Sequence, residues 1–168
     1  VHGCPESERL LELLCALPHV RVLRGDDAQH DLTAALLYRP QLLLVEDLAH
    51  ENSPGGLYGR RYQEVQELLL AGTDVYSTVD VLQIESLSDA VCEILGASAR
   101  AGIPDELFDG ADCVELVDAD PRRAPERWEA RFGPAAQEKI DALRMLAARR
   151  FAERLSRRLS MADRGMQG

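Results

Sequence analysis

Apolar and polar residues along the chain follow two periods, which predicts helices alternating with short strands. Residues 42–45 form a continuous apolar run that ends at Glu46 and Asp47, and such a run indicates a parallel strand covered on both faces. Residues 74–79 form a second strand-like run. Near the C-terminus, apolar residues at helical spacing predict one stripe along a long helix: Ile140, Leu143, Ala147, Phe151, Leu155 and Leu159.

Proline and glycine positions set the ends of the other predicted elements. Their order predicts an α/β fold with an open, mostly parallel sheet, helices on both faces and a long C-terminal helix. The elements are helices over 5–17, 31–39 and 60–71, a helix from Ile84 that closes at Gly96, a short helix at 128–132, strands at 20–23, 42–45, 74–79 and 113–117, and a weak strand at 98–101.

Composition is typical of a soluble, acidic globular domain. The chain has 168 residues, of which 46% are apolar, and this is enough to bury the core of one domain. No apolar run reaches the roughly 18 residues that a membrane span needs, and the first residues lack the order of a secretory signal. Four cysteines at irregular spacing indicate a reducing compartment, with no disulfide framework.

Charge is distributed unevenly along the chain. Residues 1–133 carry 11 basic and 25 acidic groups, a net of −14, whereas residues 134–168 carry 8 basic and 4 acidic groups, a net of +4. On this basis the chain divides into an acidic α/β domain, 1–133, and a basic C-terminal helical extension, 134–168. The acidic body argues against nucleic acid as a partner, because phosphate binding needs a cationic surface.

The basic extension leaves three partners open. Its apolar stripe is expected to pack on the acidic body or on another chain, while its arginine face is either a solvated surface or a contact with anionic lipid. The solvated surface is the simpler interpretation. The arginines concerned are Arg144, Arg149, Arg150, Arg154, Arg157 and Arg158.

The strongest chemical signal lies at the end of the first apolar run. Glu46 and Asp47 follow that run in a Walker B-like arrangement, where one acid could hold Mg²⁺ and the other could orient a water molecule. Because parallel strands end at one edge of a sheet, we expect Glu46, Asp47 and His50 to cluster with Thr78 there. Acids also follow buried strands where a chain re-enters solvent, and the pattern alone favours this plainer explanation.

A nucleotide site also needs a phosphate cradle, and the sequence contains no G-x-x-x-x-G-K-[ST] motif. Its one lysine, Lys139, lies in the C-terminal helix without a glycine loop before it. G-x-S-x-G and H-E-x-x-H are absent too, and no histidine has carboxylate or cysteine partners at ligand spacing. We therefore assign no catalytic residue and no cofactor to the chain itself, and the sequence leaves open whether it binds a metal.

Residues 45–55, V-E-D-L-A-H-E-N-S-P-G, resemble the D-E-L-A-H-x-N-x-P-G segment of the osmosensitive, potassium-responsive sensor histidine kinase KdpD family. The similarity continues through R-R-Y-Q at 60–63, E-L-L-L-A-G-T-D-V-Y-S-T-V-D-V at 67–81 and E-S-L-S-D at 85–89. It extends from about His2 to Asp118, and more weakly through the helix at 143–150. So many ordered matches are not expected by chance.

The resemblance implies the N-terminal cytoplasmic domain of a two-component sensor kinase in the inner or plasma membrane, with a P-loop NTPase-like fold. Such a domain is expected to sense potassium or osmotic conditions and to control the autokinase or phosphatase output of its parent. The alternative is a Mg²⁺-dependent, ATPase-like nucleotide-binding domain, with ATP and Mg²⁺ as cofactors of the complete domain. Implied partners are the parent's other domains and, indirectly, a response regulator, with a second copy left open.

Three departures from the family pattern affect the expected site. The family's Asp-Glu order is Glu46-Asp47 here, and Asp80 stands where the family has Asn. The family's phosphate loop lies about thirty residues before the His-Gly pair that matches His2-Gly3, roughly one βαβ unit. Whether this protein has that loop is left open. The candidate nucleotide or metal site therefore consists of Glu46, Asp47, His50, Thr78 and Asp80.

Overall fold

The structure is a computed structural model that describes residues 9, 12–14, 16–18, 20, 28–97, 102–117, 125–133 and 135–165. The chain forms two compact units, residues 1–79 and residues 80–168. The boundary at residues 133 and 134, which the charge distribution suggests, stays a prediction.

The first unit places two helices against a two-stranded parallel sheet. Its elements are α1 (Ala28–Tyr38), β1 (Leu42–Val45), α2 (Arg61–Leu70) and β2 (Asp74–Ser77). β1 pairs with β2 in parallel, with Leu42 opposite Asp74 and Val45 opposite Ser77. The predicted strands and both helices between residues 28 and 71 are thus confirmed within a few residues.

The core of this unit lies on one face of the sheet. Leu32 and Ala35 of α1 and Leu68 of α2 are buried together, and Leu43 and Val75 of the sheet pack against them. Because both helices supply this one cluster, they cover the same face.

The opposite face of the sheet is exposed within the described part of the chain. Leu44 is 60% exposed and Tyr76, its partner in the register, is 69% exposed. The expectation that β1 is covered on both faces is therefore wrong for the described residues. An unbroken apolar run shows that both faces of a strand are apolar. Whether a face is buried depends on which residues pack against it.

The second unit is mainly helical. Two short 3₁₀ turns, Val81–Gln83 and Glu85–Leu87, precede a series of helices. Gly96 ends the first helix as predicted, with a left-handed φ of 69° and its N–H donating to the Cys92 carbonyl. The helices are α3 (Ser88–Leu95), α4 (Asp105–Gly110), α5 (Pro125–Phe132) and α6 (Ala136–Gly165).

Several expectations outside these elements have different outcomes. Residues 113–117 form no strand, and Val117 is 83% exposed, because no neighbouring strand among the described residues pairs with them. The strands expected at 20–23 and 98–101 fall outside the described residues, apart from residue 20, which is not in a strand. The helix expected at 5–17 is described only in part, and residues 12–14 are helical.

Two segments of the second unit meet at one buried backbone bridge, and we call this contact the crossing. Ile84 and Ile103 form an isolated parallel bridge, in which Ile103 N donates to the Gln83 carbonyl at 2.7 Å and Glu85 N donates to the Ile103 carbonyl at 3.1 Å. Both isoleucines are buried, at 4% and 1% exposed. At the neighbouring Gly102, a Cβ would lie only 2.2 Å from the Gln83 carbonyl oxygen, so the two segments are too close for a side chain at residue 102.

Arginines of α6 bind α4 and the residues that follow it. Arg150, whose side chain is 2% exposed, places Nη2 2.8 Å from carboxylate oxygens of both Asp105 and Asp109. Its guanidinium also lies over the Phe108 ring, 4.7 Å from the centroid. This is a buried cation with two anionic partners and one aromatic partner.

Three further arginines complete this arginine network, which consists of Arg150, Arg154, Arg157 and Arg158 with residues 105–112. Arg154 is buried and donates to the carbonyls of Phe108 and Ala111. Arg158 donates to the carbonyls of Ala111 and Asp112, and Arg157 pairs with Asp109 at 2.8 Å. The cations thus satisfy carbonyls that α4 leaves free at its C-terminus.

Within the described part of the chain, the predicted stripe of α6 is buried only towards its N-terminal end. Ile140 and Leu143 are buried as expected, but Leu155 is 50% exposed and Leu159 is 60% exposed. Arginines take the inward positions in the C-terminal half, because α4 offers carboxylates and carbonyls there.

Ionisation of the central pair is coupled to folding. Desolvation opposes the charged form of Asp105, but hydrogen bonds from Ser86 and Arg150 outweigh it and lower the pKa of this carboxyl. Desolvation likewise opposes charge on Arg150, and the hydrogen bonds to Asp105 and Asp109 outweigh it and raise its pKa. Both groups are therefore held in their charged forms.

Candidate functional site

The ends of β1 and β2 are joined directly at their carboxyl edge. Asp47 N donates to Thr78 Oγ1 at 3.2 Å, and Leu48 N donates to the Thr78 carbonyl at 3.1 Å. One residue earlier, the Ser77 hydroxyl donates to the Val45 carbonyl at 2.7 Å. The chain that leaves β1 is thus tied to the chain that leaves β2, as the sequence predicts for the edge of a parallel sheet.

Asp47 adopts a backbone conformation that is unusual for a residue with a side chain. Its φ is 52°, in the left-handed region, where Asp is better tolerated than most residues. The following residues, Leu48 and Ala49, are buried at 9% and 5% exposed, and His50 N donates back to the Asp47 carbonyl at 3.1 Å. We call residues 46–50 the Asp47 turn.

The side chains of Asp47 and His50 lie close together at the surface. His50 Nδ1 is 3.7 Å from Asp47 Oδ2, and the two side chains are 44% and 43% exposed. At this exposure solvent screens the pair strongly, so it stabilises the turn only slightly. The carboxylate of Asp47 therefore remains accessible to solvent.

Two adjacent arginines hold the Asp47 turn from the start of α2. Arg61 Nη1 donates to the Glu46 carbonyl at 2.6 Å and approaches the Asp47 carbonyl at 3.4 Å. Arg60 Nη1 donates to the Ala49 carbonyl at 3.3 Å. Sequence reasoning missed these roles. Cations at a helix N-terminus oppose the helix dipole, so the R-R pair at 60–61 could have signalled partners outside the helix.

The loop after the turn is closed at its base. Glu51 and Arg60 form an antiparallel bridge, and their side chains pair at 2.7 Å. Asn52 N donates to the Gly59 carbonyl at 3.0 Å, and Asn52 Nδ2 donates to the Tyr58 carbonyl at 3.1 Å. The Pro-Gly-Gly composition of residues 54–56 predicts that this loop is mobile.

Tyr58 fastens the far side of the loop to the core of the first unit. Its ring packs against the cluster formed by α1 and α2. A hydrogen bond with the Glu67 carboxylate favours the protonated hydroxyl and raises the pKa of Tyr58. The loop is therefore attached at its two ends and through one aromatic side chain.

The predicted site residues fall in both units. Glu46, Asp47, His50 and Thr78 belong to the first unit, where the contacts above bring Asp47, His50 and Thr78 together. Asp80 belongs to the second unit, where its Oδ1 accepts from Leu82 N at 3.1 Å and its Oδ2 pairs with Arg131 at 2.9 Å. Both oxygens of Asp80 thus serve contacts inside its own unit.

Comparison with known proteins assigns the chain to a family. The profile described as "KdpD: Osmosensitive K+ channel His kinase sensor domain" matches residues 1–155. The chain belongs to this family. The resemblance that residues 45–89 carry is therefore confirmed.

Individual relatives agree with the family match. The chain is 39% identical over 181 residues to "Sensor protein KdpD" of Escherichia coli (strain K12), covering 99% of the chain and 20% of the relative. It is 38% identical over 146 residues to the protein of the same name in Clostridium acetobutylicum, covering 80% and 16%. It is 40% identical over 143 residues to the protein of the same name in Mycobacterium tuberculosis (strain H37Rv), covering 84% of the chain and 16% of the relative. The chain thus spans a fifth or less of the length of each of these three relatives.

The oxygen ligands at the sheet edge of this KdpD domain are too few to hold a metal ion by themselves, but they suit an ion that a bound phosphate ligand also coordinates. Asp47 supplies an accessible carboxylate and Thr78 a hydroxyl, which are oxygen ligands of the kind Mg²⁺ prefers. Within the described residues, no group of three or more His, Cys, Asp or Glu side chains is placed to hold a metal ion. Mg²⁺ bound here would need further oxygen ligands from a phosphate ligand and from water.

The described helices of this KdpD domain, α6 included, are too short or too polar to span a membrane.

Substitutions at residue 47 are expected to expose the cost of its backbone conformation. Asp47→Ala should lower the free energy of unfolding by about 1 kcal/mol, because Ala has neither a polar side chain nor the freedom of Gly at positive φ. Asp47→Gly should equal or exceed the unsubstituted chain, and Asp47→Asn should match it. Urea unfolding followed by circular dichroism measures the order. An alanine variant as stable as the glycine variant would contradict the left-handed turn.

Proposed function

We propose that the chain is the sensory and regulatory domain of a two-component sensor histidine kinase that responds to potassium or osmotic conditions. In this role it controls the autokinase or phosphatase output of its parent from the cytoplasmic side of the membrane. The observation that carries the proposal is the family match over residues 1–155. Its partners are the parent's other domains and, through the kinase, a response regulator.

A conformational mechanism is supported by the contacts around the Asp47 turn. Through its carbonyls the turn binds Arg61 at the start of α2, and through Asp47 N it binds Thr78 at the end of β2. A ligand or partner that moves this turn must therefore move a helix, a strand end or both. Such a change passes from the edge of the sheet into packed elements without any chemical turnover.

The fold of the complete domain is proposed to be P-loop NTPase-like. Support comes from two adjacent parallel strands, β1 and β2, with acids following β1 and a hydroxyl following β2 at one edge. In open parallel sheets, ligands bind at this edge.

A chimeric kinase tests the regulatory function. The segment of the Escherichia coli sensor protein that matches this chain is replaced by residues 1–168, and phosphorylation of the response regulator is measured over a potassium series in cells that lack the native kinase. The chimera is expected to retain potassium-dependent output. Arg61→Ala, which releases the Asp47 turn, is expected to shift the half-maximal potassium concentration by about fivefold or more, a typical allosteric coupling.

Arg149→Ala is the matched control for the chimera, because Arg149 is 79% exposed and pairs only within α6, with Glu153. This variant should respond like the unsubstituted chimera. Output that is insensitive to potassium in the folded chimera, or an Arg61→Ala response identical to that of Arg149→Ala, would overturn the proposal.

Mg²⁺-dependent nucleotide binding is the second candidate, favoured by the accessible Asp47 carboxylate beside Thr78. We expect the chain alone to bind ATP–Mg²⁺ only weakly. Phosphate loops hold the β- and γ-phosphates through backbone N–H groups and a lysine, which this sequence does not supply. Its acidic body also repels a polyanion.

Isothermal titration with ATP–Mg²⁺ decides between the two candidates. Micromolar affinity that disappears in Asp47→Ala and persists in Glu115→Ala, an exposed acid of the second unit, would establish a nucleotide site. Affinity in the millimolar range or weaker, unchanged in both variants, would leave the regulatory function as the better account.

A further inference from the structure

The helix α6 carries a second apolar stripe that faces away from the arginine network. Its large members are well exposed, with Met145 at 75%, Leu155 at 50% and Leu159 at 60%. The smaller members are exposed alanines. We call this stripe the seam, and it consists of Met145, Ala148, Ala152, Leu155, Leu159 and Ala162.

The spacing of the seam is that of a coiled coil. Successive members are three, four, three, four and three residues apart, so they occupy alternating a and d positions of a heptad. Such a pattern keeps one narrow stripe turned toward a partner helix. The other side of α6 is already committed, since Arg150 and Arg154 lie buried against α4.

We propose that the seam is a homodimer interface, in which α6 packs antiparallel against α6 of a second copy. The order of large and small residues carries this inference. Around a two-fold axis midway between Ala152 and Leu155, Ala152 faces Leu155 of the second copy. Ala148 then faces Leu159, and Met145 faces Ala162. Every layer therefore joins one large and one small side chain.

The same sequence fits a parallel pair poorly. A parallel arrangement places each residue opposite itself, so alanine layers leave gaps while leucine and methionine layers are crowded. It also brings Arg144 beside Arg149 at the flanking positions, where like charges repel. In the antiparallel pair the flanks join Arg149 to Ser156, and the two helix dipoles oppose each other favourably.

Large and small side chains of the seam pair about a two-fold axis, and this favours a second copy of the chain over a lipid surface as the partner of the seam. A symmetric interface must be complementary to itself, and the seam meets that condition by its own sequence. A lipid surface would instead need a free basic rim, yet Arg144 pairs with Asp141 and Arg149 with Glu153, while the four arginines of the network bind residues 105–112.

The size of the seam sets the strength of the dimer. Six residues per copy are far fewer than the roughly 20–30 per partner of a standard stable interface. We therefore expect a dissociation constant in the micromolar range, so that the chain is monomeric at lower concentrations.

Sedimentation equilibrium of the 168-residue chain tests the interface. The chain should pass from monomer to dimer as its concentration rises. Leu155→Glu and, separately, Leu159→Glu should each raise the dissociation constant about a hundredfold, since each change removes a buried leucine twice in a symmetric contact. Met161→Glu is the matched control, because Met161 is 65% exposed on the same helix but lies outside the seam. Circular dichroism checks that each variant is folded.

Cysteine cross-linking tests the orientation, in a background where Cys4, Cys15, Cys92 and Cys113 are serine. The pair Ala148→Cys with Leu159→Cys should form disulfide-linked dimers. Ala148→Cys alone should not, because antiparallel packing separates the two copies of residue 148 by about 16 Å along the axis.

Three results would overturn the proposal. These are a chain that stays monomeric throughout the concentration series, seam variants that dimerise like Met161→Glu, and cross-linking of Ala148→Cys alone. A monomer that binds anionic vesicles through the seam would assign this surface to lipid instead.

Discussion

Arg150→Ala is expected to lower the free energy of unfolding by about 3 kcal/mol. Removing one partner of a buried ion pair costs about 3–5 kcal/mol, because the remaining charge is left uncompensated. The lower end applies here, since the side chains of Asp105 and Asp109 are 27% and 28% exposed and regain some hydration. Urea unfolding followed by circular dichroism measures the change.

Two controls separate the buried pair from a general effect of charge. Arg149→Ala removes an exposed cation whose pair with Glu153 is worth less than about 0.5 kcal/mol. Arg150→Met should restore much of the stability, because it fills the site without a charge, while Asp109 keeps its pair with Arg157 and Asp105 keeps its hydrogen bonds from Ser86. Equal losses in Arg149→Ala and Arg150→Ala would contradict the buried network.

The effect of Arg150 should also depend on pH in a defined direction. Because folding lowers the pKa of Asp105, its ionisation contributes stability above the ordinary Asp pKa of about 3.9. This contribution is lost as the pH falls through the lowered pKa. The difference between the unsubstituted chain and Arg150→Ala should therefore shrink below about pH 4.

Gly102→Ala is expected to cost about 3 kcal/mol of unfolding free energy. The added methyl group would lie 2.2 Å from the Gln83 carbonyl oxygen and 2.7 Å from its carbon, and backbone atoms cannot turn aside as a side chain can. The segments at Gln83 and Ile103 must then separate and weaken their 2.7 Å hydrogen bond. Overpacking of this kind typically costs about 1–3 kcal/mol, and the backbone contact places it at the upper end.

Gly110→Ala provides the matched control for this substitution. No atom lies within 4 Å of a Cβ built at Gly110, which ends α4. Replacing glycine by alanine there should be neutral or stabilising by up to about 1 kcal/mol, since it restricts the unfolded chain. Urea midpoints of the two variants that move by the same amount would show that the crossing at Gly102 is looser than described.

Local patterns predict the elements of the first unit because each depends on its own residues. The apolar run at 42–45 and the run from Asp74 both become strands, and they pair in parallel as expected. Which face of the sheet is covered could not be predicted, since Leu43 and Leu44 are identical in type and differ only in what packs on them. Burial is a property of the neighbours.

The second unit was harder to predict because long-range contacts define it. α4 is a six-residue helix with no room for a periodic apolar pattern, and arginines about 40 or more residues later in the chain bind it. Those arginines belong to a basic sequence that indicates a solvated face. Only the structure reveals that Arg150 and Arg154 are among its most buried side chains.

The candidate site was partly predictable from the logic of parallel strands. Asp47 and Thr78 meet because both follow strands that end at the same edge. Sequence order also groups Asp80 with Thr78, but the chain passes into the second unit between them, and Asp80 pairs with Arg131. The role of Arg61 depends on backbone carbonyls, which a residue pattern does not reveal.

The closed base of the loop after the Asp47 turn makes this domain a suitable host for an inserted reporter. Contacts of Glu51 with Arg60 and of Asn52 with Gly59 hold the ends together, so the tip at Pro54 and Gly55 can be lengthened without separating them. Doubling the length of a flexible loop costs only about 0.6 kcal/mol. A circularly permuted fluorescent protein inserted there would sit a few residues from the edge of the sheet and convert movement of the turn into light.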